Sequence, residues 1–210
     1  MSVDLQARID AAVENNVAPD EYFSIWEEPA AWQLDALKSI GLLPRHRLLD
    51  FGCGALRFGL SAIEYLDDGN YFGIDAFAPY IAAGRKLAQV AGIKKRFSLL
   101  VSRDFELEKF GAQFDFGNAQ SVFTHMSGDE CDRCMVALKN VMKPGGVFFF
   151  TYLIGAPLTQ GMLYLGAQPM RRFAMTDPQF FEQLAAKHGA VFSNLQIQHI
   201  TGQQVAQFRF

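Results

Sequence analysis

Residues 48–59, Leu-Leu-Asp-Phe-Gly-Cys-Gly-Ala-Leu-Arg-Phe-Gly, constrain the fold more than any other stretch of the chain. An apolar run leads to Asp50, Gly52 and Gly54 bracket Cys53, and a helix-like pattern follows. A strand that turns sharply into a helix, with a ligand pressed against its backbone, needs glycine at such points. Glycine tolerates positive φ and presents no Cβ to the ligand. The segment therefore reads as a cofactor loop of the nucleotide type, and the question becomes which cofactor.

The chain around it is long enough to bury a full core. It has 210 residues, half of them apolar, and reads as one domain. A net charge of -3 gives no electrostatic footprint for nucleic acid or for an anionic membrane. No apolar run approaches the ~20 residues of a membrane span, and the first residues lack the basic-then-apolar pattern of a signal peptide. Three cysteines, an odd number, do not make a disulfide framework. A cytoplasmic setting is the expectation.

Strands and helices alternate after an N-terminal helical cap, residues 1–44. Leu5, Ile9 and Val13 mark a first helix, Tyr22, Phe23 and Trp26 a second, and Leu34, Leu37 and Ile40 a third that stops at Gly41. A cofactor-binding core, 45–153, follows. The pattern predicts strands at 47–51, 71–75, 97–101, 114–122 and 147–153, and helices at 55–66, 79–91 and from the Ser127-Gly-Asp-Glu130 capping box to Met142. Lys143-Pro-Gly-Gly146 reads as a turn. Residues 154–175 are Gly/Pro-interrupted, show no regular period, and read as a lid or acceptor insert. A helix from Thr176 to Gly189 and a hairpin of 194–200 with 203–210 close the chain. Such alternation means α/β: a mostly parallel sheet, helices on both faces, and an antiparallel strand at the end.

In an open sheet of this kind, ligands sit beyond the C-terminal ends of the strands. That edge holds the glycine loop, Asp75 and Asp104. Asp75 follows the loop by about 20 residues and can accept hydrogen bonds from both ribose hydroxyls. NAD sites and other adenosine sites share this much. Two features favour another cofactor. A dinucleotide loop wants glycine where Arg57 stands, and Asp50 before the loop suits a ligand with a positive amino group rather than a pyrophosphate.

With these residues in view, the chain resembles the class I S-adenosylmethionine-dependent methyltransferases. Asp50-Phe-Gly-Cys-Gly54 is similar to their first motif and Tyr71-Phe-Gly-Ile-Asp75 to their second. Ser102-Arg-Asp-Phe105 is similar to their adenine-side loop, and the run from Phe114 to His125 to their fourth-strand motif. The segment from Leu138 to Gly146 resembles the one leading into the fifth strand. The resemblance implies a Rossmann-like seven-stranded sheet of order 3-2-1-4-5-7-6 with strand 7 antiparallel. It also implies S-adenosyl-L-methionine as cofactor. Gly52, Cys53 and Gly54 would then pass the methionine part, with Asp50 supporting its amino group and Arg57 its carboxylate. Asp75 and Ala76 would hold the ribose side, Asp104 and the Phe105 backbone the adenine, and Asn118, Ala119 and Gln120 the sulfonium side. The departure from the family pattern is Leu56, where many members have a third glycine.

Methyl transfer from a sulfonium is an in-line displacement, so positioning and a dry site can supply most of the catalysis. Tyr22 and Trp26 are candidates for an aromatic acceptor pocket, and Arg171 for clamping an anionic part of the acceptor. His125, placed at the end of the fourth strand, is a candidate general base for a hydroxyl or amine nucleophile. His46, His188 and His199 stand in no such context. Cys131 and Cys134 fall on one apolar helix stripe, which core packing explains, so no metal site is expected. The expected activity is methyl transfer to oxygen or nitrogen of a small molecule, with no nucleic-acid or membrane partner. Two other readings share these residues: a non-catalytic protein that holds the cofactor, and a nicotinamide-dependent oxidoreductase. No motif specifies an oligomeric state.

Overall fold

The structure is a computed structural model. It describes the backbone of residues 27–155, 159–165 and 168–210, and the side chains of 29–155 and 176–210. Helix α1 (Glu27–Ser39) leads into strand β1 (Leu48–Phe51), helix α2 (Gly59–Tyr65), β2 (Tyr71–Asp75), α3 (Ala78–Val90) and β3 (Ser98–Val101). Then come β4 (Phe114–Ala119), α4 (Gly128–Val141), β5 (Met142–Ile154), β6 (Thr159–Leu165), β7 (Gln168–Thr176), α5 (Pro178–His188), β8 (Val191–Asn194) and β9 (Gln204–Arg209).

The central sheet runs β3-β2-β1-β4-β5, all parallel, and continues to β9 and β8. β9 pairs antiparallel with both β5 and β8. Since β8 and β9 are the family's sixth and seventh strands, the order 3-2-1-4-5-7-6 stands, with strand 7 antiparallel. The insert differs from its sequence reading. Residues 159–165 and 168–176 form an antiparallel pair, β6 with β7, with one irregularity between Met162 and Leu163, attached at the C-terminal end of β5 through Leu153↔Met175 and Ile154↔Thr176. Main-chain pairing supplies the regularity that side-chain periodicity lacks.

Other boundaries move for local reasons. β4 stops at Ala119, three residues early, because Ser121 takes φ +58 and turns the chain. α2 starts only at Gly59, since the loop ahead of it holds positive φ through Leu56. Lys143 to Gly146 lies inside β5 as an irregularity in its pairing with β4, with Gly145 at φ +78. β8 ends at Asn194, so a nine-residue connection, 195–203, replaces the predicted tight hairpin. The capping box is formed as expected. Ser127 accepts from the Glu130 backbone N–H, and the Glu130 carboxylate accepts from the Ser127 N–H at 2.7 Å.

Each face of the sheet carries its own core. On one, Phe148, Phe150 and Phe208 of the strands meet Phe181, Cys131, Cys134 and Met135 of α5 and α4. Burial pushes the Cys131 thiol up to about 12 and the Cys134 thiol well above its ordinary value, so both behave as small core side chains. On the other face, Leu48, Phe116, Phe149 and Val205 pack under α1, α2 and α3.

Leu56 belongs to that second core. It is fully buried with φ +64, a conformation that disfavours a side chain by about 1–2 kcal/mol. Two glycines make its room. A Cβ on Gly84 of α3 would sit 2.9 Å from Leu56 Cγ, and one on Gly59 of α2 would sit 2.6 Å from Leu56 Cδ2. The third loop glycine is thus exchanged for a leucine whose side chain wedges between two glycine-bearing helices. Leu56→Gly relieves the φ strain but empties a buried site worth about 2–5 kcal/mol, so the variant is destabilised. Gly84→Ala alone overpacks by about 1–3 kcal/mol. The double variant, measured by urea unfolding, is expected to fall short of the sum by about 1 kcal/mol. Strict additivity would show that the two sites do not share the space.

Candidate functional site

Every non-glycine residue with left-handed φ among the described residues lies just beyond the C-terminal end of a parallel strand: Leu56 after β1, Phe105 after β3 and Ser121 after β4. Gly52 and Gly54, at φ +76 and +55, share that edge. Strained backbone gathers where a fold presents groups to a ligand, and in an open α/β sheet that edge is the ligand side.

Asp50 lies under the loop. It is 3 % exposed, accepts from the Tyr71 hydroxyl of β2 at 2.5 Å and from Asn118 Nδ2 of β4 at 2.7 Å. Burial pushes its carboxyl up to about 6, while those two hydrogen bonds and the Arg57 charge oppose the rise. Both of its oxygens are engaged by the neighbouring strands. Cys53 faces inward, its sulfur over Gly73, which leaves its backbone to the loop.

Asp75 holds the loop from the next strand. One oxygen accepts from the Gly54 N–H at 2.9 Å and the other from the Phe77 N–H at 2.9 Å. Ala76 follows at the strand end, and Arg103 reaches back to the Ala76 carbonyl at 3.3 Å while lying over the exposed Phe77 ring. Across this opening, Ser102 Oγ accepts from the Asp104 N–H at 3.2 Å and the Glu106 N–H at 3.4 Å and so shapes the loop after β3. The Phe105 ring stacks on Phe51 at 5.7 Å with Arg133 above it, and the exposed Asp104 stands 4.0 Å from Arg133.

The β4 end brings Asn118, Ala119 and Gln120 beside the glycine loop. Asn118 and Ala119 are fully buried, and the Ser121 N–H donates to Thr151 Oγ1 of β5 at 2.8 Å. His125 does not end β4. It closes a short 3-10 turn, Phe123–His125, beside which β7 runs. Arg171 falls at the irregularity in the β6–β7 pairing, between Arg172↔Met162 and Met170↔Leu163. Tyr22 and Trp26 lie outside the described residues.

Three further polar residues carry no sequence motif, and two of them, His199 and Gln203, join this edge. Gln33, 2 % exposed, occupies the buried face of α1 between Ala30 and Leu37, where periodicity calls for an apolar side chain. That mismatch is the one sequence signal for it. His199, 5 % exposed, and Gln203 come from the connection before β9. His199 Nε2 is 3.5 Å from Gln120 Nε2, and Gln203 Nε2 donates to Ser121 Oγ at 2.8 Å. No motif links positions 79 residues apart in sequence, so only folding shows this cluster. The side-chain oxygens of Gln33, Asn118, Gln120 and Gln203 are buried and lack a hydrogen-bond partner among the described residues.

A family model described as a methyltransferase domain matches residues 43–203. Among solved structures, an S-adenosylmethionine-dependent methyltransferase from Clostridium acetobutylicum superposes with a TM-score of 0.68 at 12% identity, covering 99% of this chain and 98% of that one. The DhpI–SAH complex gives 0.67 at 16%, covering 95% and 91%. The magnesium protoporphyrin IX methyltransferase from Synechocystis with bound SAM gives 0.62 at 12%, covering 90% and 79%. At such identities these likenesses carry the fold, and the family match carries the kinship.

Burial, with the nearby Arg57 charge, lowers the His199 imidazole from 6.5 to about 4. Between those values the unfolded chain binds a proton there that the folded chain does not, so stability falls as pH drops through the window. The loss of unfolding free energy between pH 7 and pH 5 is expected to be about 2 kcal/mol smaller in His199→Phe than in the unaltered protein. Urea unfolding at both pH values checks this, and equal losses would show that the ring titrates freely.

Proposed function

Because this chain belongs to the methyltransferase family and uses S-adenosylmethionine, we propose that it transfers the methyl group to an oxygen or nitrogen of a small-molecule acceptor. The observation that carries the reading is the pairing of Asp75 with the Gly54 N–H, which draws a carboxylate and an exposed glycine loop to one edge. Family membership also decides against the nicotinamide reading.

The residues present fit the cofactor. A Cβ added at Gly54 would meet no atom within 4 Å, so the loop backbone is open to close approach. Asn118 Oδ1 is a buried acceptor available to an ammonium donor. Gly52, Cys53 and Gly54 are assigned to the methionine part, with Arg57 beside them for its carboxylate and Asp50 bracing Asn118. Asp75 and Ala76 are assigned to the ribose, Asp104 and Phe105 to the adenine, and Asn118 to Gln120 to the sulfonium side. When bound, the cofactor supplies a methyl group on a sulfonium, ready for in-line attack.

The protein's own part is placement and exclusion of water. Asp50 pins the ends of β2 and β4 against β1, which fixes Asn118. Asp75 holds the loop in register with β2. The β6–β7 hairpin rises from the end of β5 next to the turn of His125, and we assign residues 154–175, with Arg171, to the acceptor side. Tyr22 and Trp26 are assigned there from the sequence. His125 stands as a candidate base for an acceptor that must lose a proton. Three buried free cysteines favour a cytoplasmic setting.

Isothermal calorimetry with S-adenosylhomocysteine and NAD in parallel tests the cofactor assignment. Binding of the first and not the second is expected. Asp75→Ala should weaken S-adenosylhomocysteine by about 1.5–3 kcal/mol for each charge-assisted hydrogen bond removed, with thermal unfolding followed alongside. Unchanged affinity would remove the ribose assignment. Methyl-donor consumption over a panel of alcohols and amines tests catalysis, and tight cofactor binding without any turnover would favour a binding protein.

A further inference from the structure

The opposite end of the strands carries a cavity that the methyl-transfer reading leaves unused. It measures about 230 Å³ and opens where β4 and β5 begin, roughly 16 Å along β4 from the cofactor edge. The pairing of β5 makes the space. Phe114 and Phe116, two positions apart in β4, pair with Met142 and Val147, five apart in β5. The intervening Lys143 to Gly146 leave the ladder as a bulge, with Gly145 at φ +78. Phe116, Val147 and Arg209 then stand opposite one another on β4, β5 and β9, and residues so paired share a face. Phe116 and Val147 are buried and, with Ile40 after α1, give the cavity its apolar lining.

The polar side chains around it are rich in donors. Lys143 Nζ donates to Asp115 Oδ1 at 2.7 Å, and Asp115 Oδ2 accepts from the Arg47 N–H at 2.9 Å, so both carboxylate oxygens are engaged. His46 Nδ1 accepts from the Leu43 N–H at 3.1 Å. Burial lowers that imidazole from its ordinary value, so at neutral pH the ring is uncharged and its other nitrogen carries the proton. Arg209 spends one N–H on the Gly145 carbonyl, at a long 3.4 Å, and pairs with no carboxylate among the described residues. Lys143 and Arg209 thus set two cations against one carboxylate, and both keep N–H groups to spare. A ligand suited to this lining brings acceptors and a negative charge. It also carries an apolar body for Ile40, Phe116 and Val147, which bare phosphate lacks. That body is small, because the cavity falls below the roughly 300 Å³ at which sites for drug-sized ligands begin.

We propose that this cavity is a second binding site, for a small carboxylate with an apolar body. Arg209 and Lys143 take the carboxylate, and Ile40, Phe116 and Val147 take the body. The site lies apart from the cofactor edge and does not depend on the methyl-transfer reading.

The test is a protein-observed NMR titration of the full chain at neutral pH with benzoate, benzylamine, benzyl alcohol and inorganic phosphate. The amides of Asp115, Gly145, Gly146 and Val147 are the reporters. Benzoate should shift them saturably, bind about tenfold more tightly than the other three probes, and do so equally well with S-adenosylhomocysteine present. Arg209→Gln should weaken benzoate about tenfold, the worth of one charge-assisted hydrogen bond. Arg209→Lys, which keeps the charge and loses the planar fork, should weaken it less. Lys94→Gln, which removes an exposed charge before β3, should leave it unchanged. Arg209→Glu reverses the balance of charge, so benzylamine should become the preferred probe. Lys143→Gln removes the other cation and should also weaken benzoate, which keeps the test open if an Arg209 variant loses its folded spectrum. The proposal is overturned by the absence of a saturable benzoate response at these amides, or by another probe binding as tightly. Displacement of benzoate by S-adenosylhomocysteine, an affinity untouched in Arg209→Gln, an equal fall in Lys94→Gln, or a benzoate preference kept in Arg209→Glu overturns it as well.

Discussion

The buried carboxylate of Asp50 is the joint on which the rest depends. It sits in β1 and takes one hydrogen bond from β2, through Tyr71, and one from β4, through Asn118. Its charge is removed from water, and two side-chain donors with the Arg57 charge offset part of that penalty. Substitution of any partner would leave a buried polar group unpaired, so the three strand ends are held in one register. The glycine loop starts from one of those ends, the acid Asp75 closes another, and Gln120 follows the third. A single desolvated carboxylate thus aligns the ends of β1, β2 and β4, three of the four strands whose ends are assigned cofactor contact.

A second constraint acts on the helix side. Leu56 keeps the left-handed backbone that a third glycine would supply, and buries its side chain against Gly59 and Gly84. The loop is held there by packing. Such a wedge also fixes where Arg57 emerges, close enough for its charge to act on both Asp50 and His199.

Much of the fold was legible in the chain. The alternation of apolar runs with capped helical segments gave the parallel core, because strand and helix periods differ and the Ser127 box marks its helix unambiguously. Less legible were stretches whose shape is decided by contacts remote in sequence. Residues 159–176 have no side-chain period to read, yet their backbones pair with one another and with β5. The predicted strand through Val122 stops at Ala119 because Ser121, anchored by Thr151 and Gln203, turns left-handed there. Serine carries no sequence mark of that conformation.

The sequence by itself determined the glycine loop after β1, the acids at the strand ends, the alternation of strands and helices in the parallel core, and the family. Each of these is a local pattern, and local patterns follow from the geometry of a few consecutive residues. The tertiary structure alone decided that both oxygens of Asp50 engage its neighbouring strands, that Leu56 is accommodated by Gly59 and Gly84, and that His199 and Gln203 reach Gln120 and Ser121. Those facts depend on which groups are buried together. Burial is a property of the packed chain, and no spacing within a segment encodes it.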